Sequence, residues 1–165
     1  MGFDAFLKVS TIPGESTDSA HTEWIEVLQL NHGVYQPSTG SVSSGGARTA
    51  ERSDHEHFSI VKSLDKASPK LFLSCCKGDH IPEITIELCR NTGNKQKYME
   101  YKMTDIIISS VRPTGTSKGT ETLPLEEVKF SYGKLELTYT QTDHQTGAAK
   151  GEVKAYWDLV GNTGG

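Results

Sequence analysis

Cysteine is scarce. The chain has three in 165 residues, Cys75, Cys76 and Cys89, two of them adjacent. An odd count with that spacing is a poor disulfide framework, and no CxxC pair offers a zinc or redox site. The three read as small apolar side chains. No stretch is long and apolar enough to be a membrane span, and the first residues, MGFDAFLKVS, alternate like a strand rather than forming a secretory signal. Met1-Gly2 opens like a myristoylation site, but Phe6 stands where Ser or Thr is required. Positive charge is not in excess: 17 Lys and Arg against 21 Asp and Glu leave −4 at neutral pH, which argues against a protein that tracks nucleic-acid phosphates. Catalytic signatures are missing as well. Ser43-Ser44-Gly45-Gly46-Ala47-Arg48 lacks GK[ST] and precedes a strand pattern, so no helix N-terminus is there to hold a phosphate. GxSxG is absent, Cys75 and Cys76 have no evident base, and acidic residues lie singly on strand faces. The expectation is no enzyme and no cofactor.

What the chain has is glycine, at 16 residues, with 35% hydrophobic content, a combination suited to an all-β domain with many turns. Phe3, Ala5, Leu7 and Val9 alternate against Asp4 and Lys8. Trp24–Leu30 is apolar on both faces, Trp24, Leu28 and Leu30 one way, Ile25 and Val27 the other. Strands are predicted over His55–Val61, around Ile84, Ile86 and Leu88, from Lys97 to about Val111 with a bulge beyond Asp105, and over Val128, Phe130 and Tyr132. Asn91–Asn94 is predicted to close a hairpin, and Gly133 to turn the chain into a returning strand of Leu135, Leu137 and Tyr139. The last strand carries Val153, Ala155, Trp157 and Leu159. Gln36–Ser53 is a Ser-, Gly- and Thr-rich loop of unusual length, either disordered or an interaction loop.

One helix is legible. Ser68 suits an N-cap, Pro69 the first helical position and Gly78 the left-handed position past the end. Lys70, Ser74 and Lys77 form a polar stripe, and Leu71, Phe72, Leu73, Cys75 and Cys76 a broad apolar face that must pack on a sheet. The fold class is therefore mainly β: an antiparallel β-barrel, closed or nearly so, or two packed sheets, of about eight strands, with one short α-helix at about residues 65–77. A single domain spans 1–165, with an extended loop at about 36–53 and a flexible C-terminal tail at about 161–165. His55 and His57 share a strand face and could meet an ion with His32, His80 or His144, but such pairs are common on solvated strands, and no metal site is expected.

Longer motifs carry a family resemblance. FDAFLKV is followed by Pro13-Gly14-Glu15-Ser16, Trp24-Ile25-Glu26-Val27-Leu28, Gly33-Val34 with Gln36-Pro37, and SSGGARTAERSDHEHF. Then come Leu64-Asp65-Lys66-Ala67-Ser68-Pro69-Lys70-Leu71, Lys97-Tyr98-Met99-Glu100-Tyr101, Ser109-Ser110-Val111, Leu123-Pro124-Leu125-Glu126 and Trp157-Asp158-Leu159. In this order they resemble the haemolysin-coregulated protein (Hcp) family, the tube protein of bacterial type VI secretion.

The resemblance implies a β-barrel subunit of a homohexameric ring. Rings stack into a hollow tube within a contractile sheath, capped by a VgrG-type spike protein, and effector proteins are carried in the lumen. It implies a structural component, cytoplasmic when assembled and then exported by the type VI system without a signal peptide, with no membrane insertion, no nucleic-acid partner and no C-terminal toxin domain. The ring-stacking loop maps onto Gln36, Ser41, Ser43, Ser44, Gly45, Gly46, Arg48 and Arg52. Asn31 and His32, less typical of the family, fall near its lumen, and Leu71, Phe72 and Cys75 are assigned to packing of the helix on the barrel or the next subunit. The alternative is a monomeric β-sandwich binding module, which oligomeric state separates from the first reading.

Overall fold

The computed structural model describes residues 2–39, 49–91, 95–118 and 123–165. The strands are β1 (Phe3–Val9), β2 (Ile25–Val27), β3 (Gln29–Asn31), β4 (Val34–Tyr35), β5 (Ser38–Thr39), β6 (Thr49–Ala50), β7 (Asp54–His55), β8 (Phe58–Ser63), β9 (Ile81–Arg90), β10 (Lys97–Thr114), β11 (Leu125–Thr142), β12 (Ala149–Asp158) and β13 (Thr163–Gly164), with one helix, α1 (Ser68–Lys77).

The antiparallel pairings form a closed circuit. β1 lies between β9 and β2, β9 pairs β10, β10 pairs β11, β11 pairs β8, and β8 pairs β3. The chain joins β2 to β3 through a bend at Leu28, whose N–H donates to the Val61 carbonyl (2.8 Å). That bend carries the segment from one side of the seam to the other, and the barrel closes. Leu28 itself is left exposed, while Ile25 and Val27 are buried, so the segment has one core face rather than two.

β11 is longer than the barrel needs. Leu125–Phe130 pairs with β8, and Lys134–Thr142 pairs with β12 on the same edge. Gly133 does not turn the chain as the sequence predicts; it is an interior residue of β11, facing Asp105, which adopts a positive φ of 55°. A Cβ on Gly133 would come within 3.0 Å of Asp105 Oδ2. The register runs unchanged past both residues, pairing Thr104 with Lys134 and Ile106 with Tyr132, and shifts only between Ile108 and Ser110. The tail also differs from expectation. Thr163 and Gly164 pair with Asp158 and Trp157, so Gly161–Gly165 returns along β12. The predicted turn at Asn91–Asn94 falls mostly outside the described residues.

The core follows the period-two positions. Leu7, Ile25, Phe58, Ile60, Ile84, Ile86, Met103, Ile106, Val128 and Phe130 are fully buried, each contributing about 1.5–3 kcal/mol. α1 packs against β10 through a narrow contact of Leu71 and Ser74, with Ala67 buried before it. This corrects the broad apolar face: Phe72, Leu73 and Cys76 are exposed, Cys75 is half-buried, and Ser74, assigned to the polar stripe, faces inward. The left-handed Gly78 is as expected, with φ 66°. The N-cap is Ala67 rather than Ser68, and no side chain caps the helix.

Ser68 is diverted to a buried charge cluster. Continuing the alternation of Phe58 and Ile60 places Lys62 in the core, fully buried. Its Nζ lies 2.8 Å from Glu126 Oε2, 2.9 Å from Asp65 Oδ1 and 3.1 Å from Ser68 Oγ, and the Ser68 hydroxyl donates to Glu126. Each ion costs several kcal/mol to desolvate, so Lys62 is tolerable only because all its donors have partners. Lys62→Met strands Glu126 and should lower stability by about 3–5 kcal/mol in urea unfolding, with the double variant Lys62→Met, Glu126→Leu recovering part of the loss.

Candidate functional site

The described ends of the long loop pair as the two legs of a β-arm. β4 pairs with β7, Val34 opposite His55, and β5 pairs with β6, Ser38 opposite Ala50. Side-chain bonds reinforce this two-step stem: Gln36 Nε2 donates to the Glu51 carbonyl, and the Tyr35 hydroxyl donates to Glu56 Oε1 (2.7 Å). Arg52 donates to the Leu159 carbonyl and so ties the descending leg to the segment after β12. Of the residues assigned to the ring-stacking loop, Gln36 and Arg52 are exposed on the stem. Ser41, Ser43, Ser44, Gly45, Gly46 and Arg48 lie outside the described residues.

At the root, the backbone closes through Glu56 N–H to the Gly33 carbonyl (2.9 Å), and a Cβ on Gly33 would stand 2.6 Å from Glu56 Oε2. Asn31 is exposed at the end of β3. His32 is half-buried instead of projecting freely: its ring stacks on Phe58 at 5.3 Å, and its Nε2 lies 2.6 Å from the Tyr132 hydroxyl. His55 Nδ1 reaches the same hydroxyl at 3.4 Å. His57 turns away to Ser109 Oγ, 2.8 Å distant, so His55 and His57 do not converge on an ion. Burial, with His55 nearby, lowers the His32 pKa below the usual imidazole range; burial lowers that of His55, and burial pushes the Tyr132 phenol up to about 12.

A second cluster joins the Pro13–Glu23 loop to the barrel. His21 stacks on Phe6, with Nδ1 2.7 Å from Asp18 and Nε2 2.7 Å from Glu87. Cys89 Sγ lies 4.0 Å from the same Nε2. His21, Glu87 and Cys89 together are ligand types that a metal could use. However, donors on a tetrahedral ion stand roughly 3.3 Å apart, and the 2.7 Å contact is a hydrogen bond that an ion would have to break. Lys95 beside Asp18 (2.7 Å) and Lys97 beside Glu87 (3.7 Å) already supply cations. Burial, with Glu87 nearby, pushes the Cys89 thiol up to about 11, which suits an inert core side chain. The cluster is a loop clamp.

Among the described residues, large apolar side chains are exposed at Phe3, at Val34 and Tyr35 on the arm, and in three further groups. Val153, Tyr156 and Tyr139 lie on β12 and the far half of β11, with Val160 just beyond. Phe72 and Leu73 lie on α1, and Leu28 and Leu123 flank the barrel seam. Sequence reasoning missed Lys62, Glu126, Tyr132 and His21. The first two were detectable, being opposite charges at inward period-two positions of two apolar strands.

With this geometry in view, the comparisons are consistent. The model of the family described as type VI secretion system effector, Hcp, matches residues 6–139. Protein hcp1 of Pseudomonas aeruginosa is 30% identical over 163 residues, covering 98% of each chain. A structure of a type six secretion system protein superposes with a TM-score of 0.92 at 30% identity, covering 99% of this chain and 100% of that one. Hcp1 from Salmonella typhimurium gives 0.80 at 31% identity over 99% of each. The fold is thus that of a type VI secretion protein. The chain belongs to the Hcp family. Among the described residues no helix is long and apolar enough to cross a membrane.

The clamp has a pH signature. Hydrogen bonds from Lys95 and His21 hold the Asp18 carboxyl at about 2, below the 3.8 of an unfolded chain. Its contribution is complete above about pH 4 and is lost as pH falls through 2. Asp18→Asn should therefore flatten the acid limb of stability between pH 4 and 2, read as urea midpoints across that range.

Proposed function

We propose that the protein is a structural subunit of a type VI secretion tube. Homohexameric rings stack into a hollow tube inside a contractile sheath, a VgrG-type spike caps it, and effector proteins travel in the lumen. Its role is mechanical and carrier-like, not enzymatic, and it leaves the cell by the system it builds. Family membership over nearly the whole chain supports the system, and the observation that carries the assembly reading is the β12 hairpin. This strand is exposed along almost its whole length, carries Val153 and Tyr156, and extends beyond the closed barrel, where it has no core of its own to cover. Exposed apolar surface of this kind is a contact surface in waiting. A ring needs two different patches that meet head to tail, and the helix face of Phe72 and Leu73 is a candidate for the second.

The arm fits contact between rings. Gln36 and Arg52 brace its stem, and Ser41, Ser43, Ser44, Gly45, Gly46 and Arg48, which lie between its two legs in sequence, would engage the next ring. Asn31 is free to face a lumen, whereas His32 acts from beneath. Leu71 and Cys75 hold the helix to its own barrel and leave Phe72 for a neighbour.

Light scattering behind size exclusion at tens of micromolar should give one ring-sized species; a monomer there would favour the binding-module reading. Val153→Asp should disperse rings into folded monomers, with thermal unfolding shifted by only a few degrees, since a surface substitution costs within about 0.5 kcal/mol. Deleting Ser41–Ala47 should leave rings intact in electron micrographs and abolish tube growth and secretion.

A further inference from the structure

We propose that the root of the β-arm is an acid-sensitive latch: His32, just before the ascending leg, and His55, at the end of the descending leg, share one partner on the barrel, the Tyr132 hydroxyl, so that adding a proton to each ring releases the arm from the barrel. The inference goes beyond the tube reading and holds for the chain alone or in a ring.

The geometry is specific. His32 lies between β3 and the ascending leg, His55 ends the descending leg, and Val34 beside the first pairs directly with the second. Tyr132 projects from β11 between them, 2.6 Å from His32 Nε2 and 3.4 Å from His55 Nδ1, with the Glu56 carbonyl at 3.3 Å. A phenol has one proton to donate. With neutral rings, one imidazole accepts it or the Glu56 carbonyl does, and the rest of the triangle is satisfied by imidazole N–H groups. Two imidazolium rings instead bring two positive charges onto one oxygen in a half-buried setting.

The charged neighbours are few. On the arm, Asp54 adjoins His55, and Glu56 faces His32 but already accepts from the Tyr35 hydroxyl. His57, Glu127 and Lys129 line the groove beside His55 and Glu56. Phe58, stacked on His32, offers no counter-charge. The carboxylates temper the effect without reversing it, since both histidines have pKa values lowered by burial. A histidine whose folded pKa is depressed takes its proton preferentially in the open state. The closed root is therefore fully stable above the unfolded value of about 6.5 and loses stability as pH falls below it.

Hydrogen exchange on the full-length protein, corrected for intrinsic rates, tests this at peptides spanning residues 29–36 and 50–58. Between pH 7.5 and 5.5 the opening of these peptides should increase by about tenfold for one histidine and up to about a hundredfold for both. Peptides from residues 81–90 in the core should not change. His32→Asn with His55→Asn should abolish the pH dependence, and His57→Asn, which does not touch Tyr132, should leave it intact. If the double variant folds poorly, the wild-type profile alone decides. A change under about threefold at the arm root, equal opening of the core, or pH dependence persisting in the double variant would overturn the proposal.

Discussion

A sheet that closes on itself uses up its edges, and this chain has more strand than its barrel can use. Closure depends on one bend at Leu28, where the segment that begins beside β1 ends beside β8. Past the end of β8, the far half of β11 keeps β10 on one edge and takes β12 on the other. The residues between β3 and β8 pair with one another as the arm. The β12 hairpin and the arm are strand left over from closure, and the helix face of Phe72 and Leu73 is the one assembly candidate that is not.

The barrel also depends on a charge placed where an apolar residue would ordinarily sit. Lys62 joins β8 to β11 through Glu126 and to the start of α1 through Asp65 and Ser68. An apolar residue there would pack as well, but it would not specify which helix start meets which strand. The cluster explains why α1 is well anchored with little of its surface buried. Electrostatic anchoring at the helix start lets Phe72 and Leu73 stay exposed.

Much of this was legible beforehand. Strands β1, β9 and β12 and the helix span follow from alternation and from Pro69 and Gly78. The family follows from LDKASPKL and its companion motifs. The misreadings share one cause, that local signals carry no information about neighbours. Gly133 looks like a turn, yet it is an interior strand residue kept free of a Cβ by Asp105 across the ladder. Ser68 looks like an N-cap, yet Glu126, 58 residues away in sequence, takes its hydroxyl. His55 and His57 look paired, but the strand ends between them and the rings part. The GNTGG tail looks shapeless and is ordered by the edge of β12.

By itself the sequence determined the β class, the helix position, the family, and the presence of a long segment that could not be core. Period-two burial and turn chemistry are local, so they survive without coordinates. The tertiary structure alone decided that the sheet closes, which strands have surplus length, and which residues meet across it: Lys62 with Glu126, His21 with Glu87, and His32 and His55 with Tyr132. Those pairs join residues 64 to 100 positions apart, and only a register fixed over the whole sheet brings them together.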